Sequence, residues 1–318
     1  MKAFKNASVY AEGKGIIRTS VYFDDKIRQI GGYVAGAEEI DLPENAVVLP
    51  GFIDEHIHGA GGSDAMDGNT KDLAIIAETV AKEGTTSFLA TTMTQSKENI
   101  LKAMRAVKEY REAAGEQGAR IAGVHLEGPF IAAAHKGAQP LEYVAAPDAK
   151  TFDEYNAACG NAIKIITLAP ETDGALDFIR HIVAQGTVVS IGHTGAKYAE
   201  VKAAMEAGAT NVTHTYNAQS PLHHREIGVV GSALLLEDLY CELICDTIHV
   251  SVPAMQLLVK NKRADKLALI TDAMRWKVLQ NKDGLTVNED HVVAITNGGG
   301  IRAAIAKGDV TKKDINTV

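Results

Sequence analysis

Apolar residues in this chain fall into short unbroken runs, separated by longer stretches in which they return every third or fourth position. The runs at 47–57, 85–92, 121–127, 163–169, 187–192, 210–215, 241–248 and 267–272 hold few polar residues, as strands buried on both faces do. Between them the spacing predicts helices, among them 70–83, 97–114, 174–185, 197–207 and 253–261; Leu73, Ile76, Ala77 and Val80 form one such face. Eight strands alternating with helices predict an α/β chain closed into a parallel (β/α)8 barrel of the TIM type rather than an open sheet. Ahead of them, ASVYA, IIRTSVYF, KIRQIGG and EEIDL read as short strands of a small antiparallel β unit, of sandwich type. The expected organisation is a small β domain at 1–48, a barrel at 49–282 and an atypical C-terminal segment at 283–318.

Composition narrows this picture. The chain has 318 residues, 46% hydrophobic and 23% charged, enough for one large barrel with a small attachment. A net charge of −8 argues against nucleic acid or an anionic membrane as partner. No apolar run approaches a membrane span, and MKAFKNASVYAEGKG lacks a basic stretch followed by an apolar one, so the expected location is cytoplasmic. Cys159, Cys241 and Cys245 do not make a disulfide framework. Cys241 and Cys245, four apart on a predicted strand, should share a face as small buried apolar groups.

The chemistry sits at the ends of the runs, where a (β/α)8 barrel builds its active site. His56 and His58 are two apart on a strand, so both imidazoles can face one ion, and neutral imidazole suits zinc and related divalent metals. Glu127, ahead of Gly128-Pro129, is a carboxylate at the mouth that can ligate one ion or bridge two; His125, two residues before it, is a ligand or a support to one. His193 and His214 end the fifth and sixth strands and complete, with Glu127, a three-ligand set with a position left for water. Gly192 would let backbone approach a ligand closely. Asp272 ends the eighth strand, where a carboxylate can take a proton from water and pass it to a leaving amine. Arg225 offers a planar fork for phosphate or carboxylate. Asn217 and Ala218 offer donors beside His214, and His249 ends the seventh strand.

PGFID-x-H-x-HG, HLEGPF, KGAQ, TLAPE, GHT, THTYNA, HRE-x-G and TDAMR, in this order, resemble the N-acetylglucosamine-6-phosphate deacetylases of the amidohydrolase superfamily. The resemblance runs to about Arg275. It implies that Glu127, His193 and His214 hold the principal divalent ion (zinc, iron, manganese or cobalt). Some family members lack the His-x-His pair and bind one metal; His56 and His58 therefore imply a second ion, with Glu127 bridging and Asp272 nearby. Asp272 would be the general base and then acid. Asn217, Ala218 and Arg225 would bind the sugar phosphate, as would His249, donated in this family across a homodimer interface. Ala138 and Gln139 match the segment over the acetamido group, where some members carry His in place of Gln139. The implied reaction converts N-acetylglucosamine 6-phosphate to glucosamine 6-phosphate and acetate.

Beyond Arg275 the family pattern stops. The expected substrate loop after the eighth strand, the last barrel helix and the closing strands of the β unit are not recognisable in the segment from Trp276 onward. HVVAIT reads as one strand and Asn297–Gly300 as a turn. The sequence-level expectation is a truncated relative whose barrel lacks its last covering helix, with an apolar strip exposed and one pocket wall missing. Two other functions compete with deacetylation: a non-catalytic protein that keeps the metal and sugar-phosphate sites, and another amidohydrolase activity in which Lys164 becomes a carbamylated bridging ligand.

Overall fold

A computed structural model describes residues 1–113, 118–275 and 277, together with the backbone of 294–296 and 301–303. Contacts divide the chain into two units, Met1–Phe52 and Ile53 onward.

In the first unit β1 (Lys2–Ala11) pairs antiparallel with β2 (Gly15–Phe23), and β2 with β3 (Ile27–Ile30). The sheet is mixed rather than antiparallel throughout, because β4 (Glu38–Glu39) and β5 (Val47–Val48) both run parallel to β1. Ala7, Val9 and Val21 form its small core, with Phe4, Phe23, Leu42 and Val48 packed on them. The run 47–57 is therefore two elements. Val47–Val48 joins the small sheet, Pro50 and Gly51 interrupt, and the barrel strand begins at Phe52. Proline has no N–H to give a ladder, so the break falls where the chemistry requires it.

The barrel strands are β6 (Phe52–Ile57), β9 (Thr85–Thr91), β10 (Arg120–Glu127), β11 (Ile163–Leu168), β12 (Val188–Ile191), β13 (Asn211–Val212), β14 (Tyr240–Ile244) and β15 (Leu267–Ile270), each beside the next in one sheet. Two short strands, β7 (Gly59–Ala60) and β8 (Ser63–Asp64), form a hairpin after β6. The first and last barrel strands meet along a hydrogen-bonded seam. Ile57 bridges Ala273, the Asp272 N–H donates to the His56 carbonyl at 2.9 Å, and the Thr271 hydroxyl donates to Asp54 Oδ2 at 2.6 Å. The chain thus folds as the nearly closed TIM-type barrel that the pattern predicts.

Helices α1 (Thr70–Ala81), α2 (Lys97–Glu112), α3 (Ala149–Ala158), α4 (Ala175–Ala184), α5 (Tyr198–Ala207), α6 (Gly228–Leu235) and α7 (Val252–Asn261) surround it. Helix α1 begins where the Asn69 side chain accepts the Asp72 N–H, and it buries Leu73, Ile76, Ala77 and Val80, with each large side chain contributing about 1.5–3 kcal/mol. The spacing does not single out α3 or α6. Helix α3 is held by its Asp148 cap and by Phe152 and Tyr155, and α6 is apolar on most sides, so neither shows a clean stripe. Among the described residues no helix follows β15, and Ile53, Leu269 and Val259 on the outside of the barrel are 69%, 63% and 54% exposed.

The seventh strand is shorter than predicted. It ends at Ile244; Asp246 then accepts the N–H groups of Ile248 and His249 at 2.8 Å each, with Thr247 at φ 64. Cys245 is consequently exposed, contrary to expectation, while Cys241 is buried as expected; Cys159 is buried too. Far along the chain, β16 (Ala294–Thr296) pairs antiparallel with β17 (Ile301–Ala303). The expected turn at 297–300 lies outside the described residues. No described helix is long and apolar enough to cross a membrane.

Candidate active site

The C-terminal ends of the barrel strands bring six of the predicted side chains together. His56 and His58 come from β6 and the residue just beyond it, and Glu127 is the last residue of β10. His193, His214 and Asp272 each stand two residues past their strands, at φ 48, 28 and 48. Left-handed backbone is uncommon for residues with a side chain and tends to concentrate at functional sites. Here it turns all three chains inward over the barrel mouth. Gly192 serves a different purpose from the one its position suggested. A Cβ there would stand 2.7 Å from Thr213 Cβ and 2.8 Å from Thr167 Cγ2, so the glycine lets strand ends pack inside the barrel rather than letting a ligand approach.

Glu127 is the hub. Its Oε1 lies 3.2 Å from His193 Nε2, 3.2 Å from His214 Nε2 and 3.3 Å from His56 Nε2. Its Oε2 lies 3.4 Å from His58 Nε2. Asp272 Oδ1 stands 3.5 Å from His56 Nε2 and 3.3 Å from His58 Nε2. His193 Nε2 and His214 Nε2 are 3.1 Å apart. His193 Nδ1 faces the His135 carbonyl at 2.9 Å, which fixes it as a donor and leaves Nε2 as the lone-pair atom of the neutral ring.

These contacts test whether a cation suits the site. In the set Glu127, His193, His214, one carboxylate oxygen and two imidazole nitrogens stand 3.1–3.2 Å from one another. That separation is close to the edge of a tetrahedron of N and O ligands around zinc, roughly 3.3 Å for bonds of about 2.0–2.1 Å. Electron-rich atoms this close need a positive charge among them. A second set, His56, His58 and Asp272, also lies within ligand distance, and the buried His56 Nε2 has no hydrogen-bond partner. Both sets fit a divalent ion. Without an ion, the buried carboxylates and imidazoles answer one another's charge. Burial pushes Glu127 and Asp272 up, but His193 and His56 for the one, and His56 and His58 for the other, hold both carboxyls well below their usual range. Burial pushes His58 down, and its hydrogen bonds to Asp272 and Glu127 raise it to about 10.

His125 is not a ligand in this arrangement. Its Nδ1 donates to the Glu55 carbonyl at 2.9 Å and its Nε2 is 2.7 Å from Thr167 Oγ1, so no lone pair is left. Burial and the charge of His56 hold it down to about 4. Two acids given no role in the sequence also support the site, Glu171 being the last residue of TLAPE. Glu242, inside the barrel on β14, meets His56; the signal was a lone carboxylate in an otherwise apolar run. Glu171 accepts the Thr194 hydroxyl at 2.5 Å and the Gly195 N–H at 2.6 Å, fixing the loop that carries His193.

A cavity of about 500 Å³ opens over Glu127, His58, His193, His214 and Asp272. Ala138, Gln139, Asn217, Ala218 and His249 also line it, as do Lys136, Tyr216 and Met274, which stand within the KGAQ, THTYNA and TDAMR motifs but were assigned no role there. Gln139 is buried; its Nε2 donates to Glu127 Oε2 at 2.6 Å and its Oε1 accepts the Thr94 N–H at 2.6 Å. His249, past the strand rather than on it, lines the cavity of its own chain, with Nδ1 2.5 Å from Asp246 Oδ2. Arg225 lies in an exposed loop and is not among the cavity-lining residues. Lys164 is exposed on β11, away from the mouth, so it cannot be a bridging ligand.

Residues 47–302 match the model of the amidohydrolase family. This chain belongs to that family. It is 45% identical over 251 residues to an N-acetylglucosamine-6-phosphate deacetylase of Bacillus subtilis (strain 168), a match covering 78% of this chain and 63% of the relative. It is 42% identical over 256 residues to the enzyme of the same name from Lysinibacillus sphaericus, covering 80% and 66%. This amidohydrolase thus spans about two thirds of the length of the curated relatives it matches. Among solved structures it resembles N-acetyl-D-glucosamine-6-phosphate deacetylase from Mycobacterium smegmatis, with a TM-score of 0.79 and 28% identity over 88% of this chain and 79% of that one.

Proposed function

We propose that this amidohydrolase cleaves the acetamide of N-acetylglucosamine 6-phosphate, giving acetate and glucosamine 6-phosphate. The observation that carries the reading is Glu127, which turns one oxygen to His193 and His214 and the other to His58, with Asp272 beside both halves of the His-x-His pair. Glu127, His193 and His214 would hold one divalent ion (zinc, iron, manganese or cobalt) and His56 and His58 a second. Such ions polarise an amide carbonyl and bring the pKa of water to roughly 7.

The chain's own groups do the rest. Asp272 rests as a carboxylate at the rim of the cavity, so it accepts the proton of the attacking water and returns it to the departing amine nitrogen. Gln139 keeps Glu127 turned, and its remaining amide hydrogen is available to the acetamide oxygen. Asn217, the Ala218 backbone and His249, which line the cavity, bind the sugar phosphate, Arg225 would have to reach it from its exposed loop, and Ala138 covers the acetamido group. The same reading includes a homodimer working in the cytoplasm, where a phosphorylated sugar is retained because its charge keeps it from crossing membranes.

Acetate release from N-acetylglucosamine 6-phosphate by the metal-loaded chain, with N-acetylgalactosamine 6-phosphate as comparator, tests this directly. Turnover that disappears on chelation and returns with metal supports it. Folded, metal-loaded protein that releases no acetate from either sugar overturns it.

A further inference from the structure

Glu242 sits within β14, 1% exposed inside the barrel, and the proposed reaction does not use it. One oxygen of this carboxylate touches both histidine sets. Glu242 Oε2 is 3.0 Å from His56 Nδ1 and accepts the backbone N–H of His214 at 3.1 Å. An ionised carboxylate only accepts, so His56 Nδ1 carries the hydrogen. The lone pair of the neutral ring is then on Nε2, the atom that faces Glu127 Oε1 at 3.3 Å and Asp272 Oδ1 at 3.5 Å. The His125 ring, anchored through both nitrogens, lies 4.5 Å away, centroid to centroid and tilted by 58°, and packs against that side of the His56 ring.

We propose that Glu242 is a positioning residue that holds His56 with Nε2 toward the cavity and ties that ring to the His214 backbone, so that one buried carboxylate sets the geometry of both ligand sets. The inference rests on the two-ion reading above. A carboxylate behind a histidine fixes its tautomer and raises its basicity, and loss of such a partner typically weakens metal binding roughly 10–100-fold. The loss should fall on the set His56, His58, Asp272 more than on Glu127, His193, His214, which Glu242 reaches only through backbone.

The test is a zinc titration of the metal-free full chain against a chromophoric chelator, for the wild type, Glu242→Gln and Glu242→Leu, with ¹⁵N NMR of the imidazoles in the zinc-loaded wild type. The expected result is two ions per wild-type chain, with His56 protonated at Nδ1 and zinc on Nε2. Glu242→Leu should bind one of the two roughly 10–100-fold more weakly. Glu242→Gln, which keeps an oxygen able to accept both hydrogens, should recover most of that affinity, which a merely space-filling role would not produce. Unchanged affinities for both ions in Glu242→Leu would overturn the inference alone. A wild type that binds fewer than two ions would overturn the two-ion reading and the inference with it. If Glu242→Leu does not fold, the wild-type NMR decides, and zinc on His56 Nδ1 is the overturning result.

Discussion

Single side chains divide the labour of the site, and two substitutions separate their parts. Asp272→Asn keeps the shape but removes the proton acceptor, so kcat for acetate release should fall roughly 10²–10⁴-fold with KM little changed; wild-type turnover would remove Asp272 from the mechanism. Gln139→Ala leaves the Thr94 N–H buried without its acceptor and frees Glu127 Oε2. A stability loss of about 1–3 kcal/mol is expected, read as a lower denaturant midpoint, together with weaker metal binding. If the midpoint does not move, the amide is idle. The sequence showed the six converging groups because each interrupts an apolar run with a metal-ligand type. It did not show which of them share an oxygen, nor that Gln139 has both ends occupied by protein, because those depend on loops whose path no periodicity encodes. Glu242 stayed hidden for a related reason: a single acid in YCELI reads equally well as outward-facing until the register of β14 is known.

At the level of elements, strands were legible wherever burial on both faces wrote a continuous apolar run, and their ends were not. Val47 to Ile57 reads as one run although Pro50 and Gly51 break it, and β14 stops at Ile244 although apolar residues go on, because the Asp246 turn is made by side-chain acceptance of two N–H groups. Helix α6 offers an element-scale test. Two carbonyls just past its end are met by a buried lysine from the end of α7: Lys262 Nζ donates to Leu236 O at 2.5 Å and to Leu239 O at 2.9 Å. Lys262→Met keeps the stem but removes the ammonium donor shared by both carbonyls, and should cost about 1–3 kcal/mol in urea unfolding. An unchanged midpoint would mean that water replaces the lysine without loss.

For the whole molecule the barrel mouth is a store of buried charge. Glu127, Glu242 and Asp272 share a space with His56, His58, His193 and His214. Bound ions that leave with unfolding add stability by mass action, about 2.7 kcal/mol at a concentration of one hundred times Kd. Chelation should therefore lower the melting temperature of the full chain, and added zinc or manganese should restore it in a dose-dependent way. A melting curve indifferent to chelator would mean that the histidines and carboxylates balance one another without metal.

The seam between β6 and β15 carries a consequence of its own. His56 and His58 stand on one side of it and Asp272 on the other, while Glu127, His193 and His214 all lie within the continuous run of strands between. A ribosome makes these residues in order. The group built on Glu127 has all its members once residue 214 has been made, but the two histidines made earliest wait for the acid made last. The half of the site that includes Asp272 therefore cannot exist in a nascent chain that has not reached that residue, whereas the Glu127 group is complete in sequence well before it.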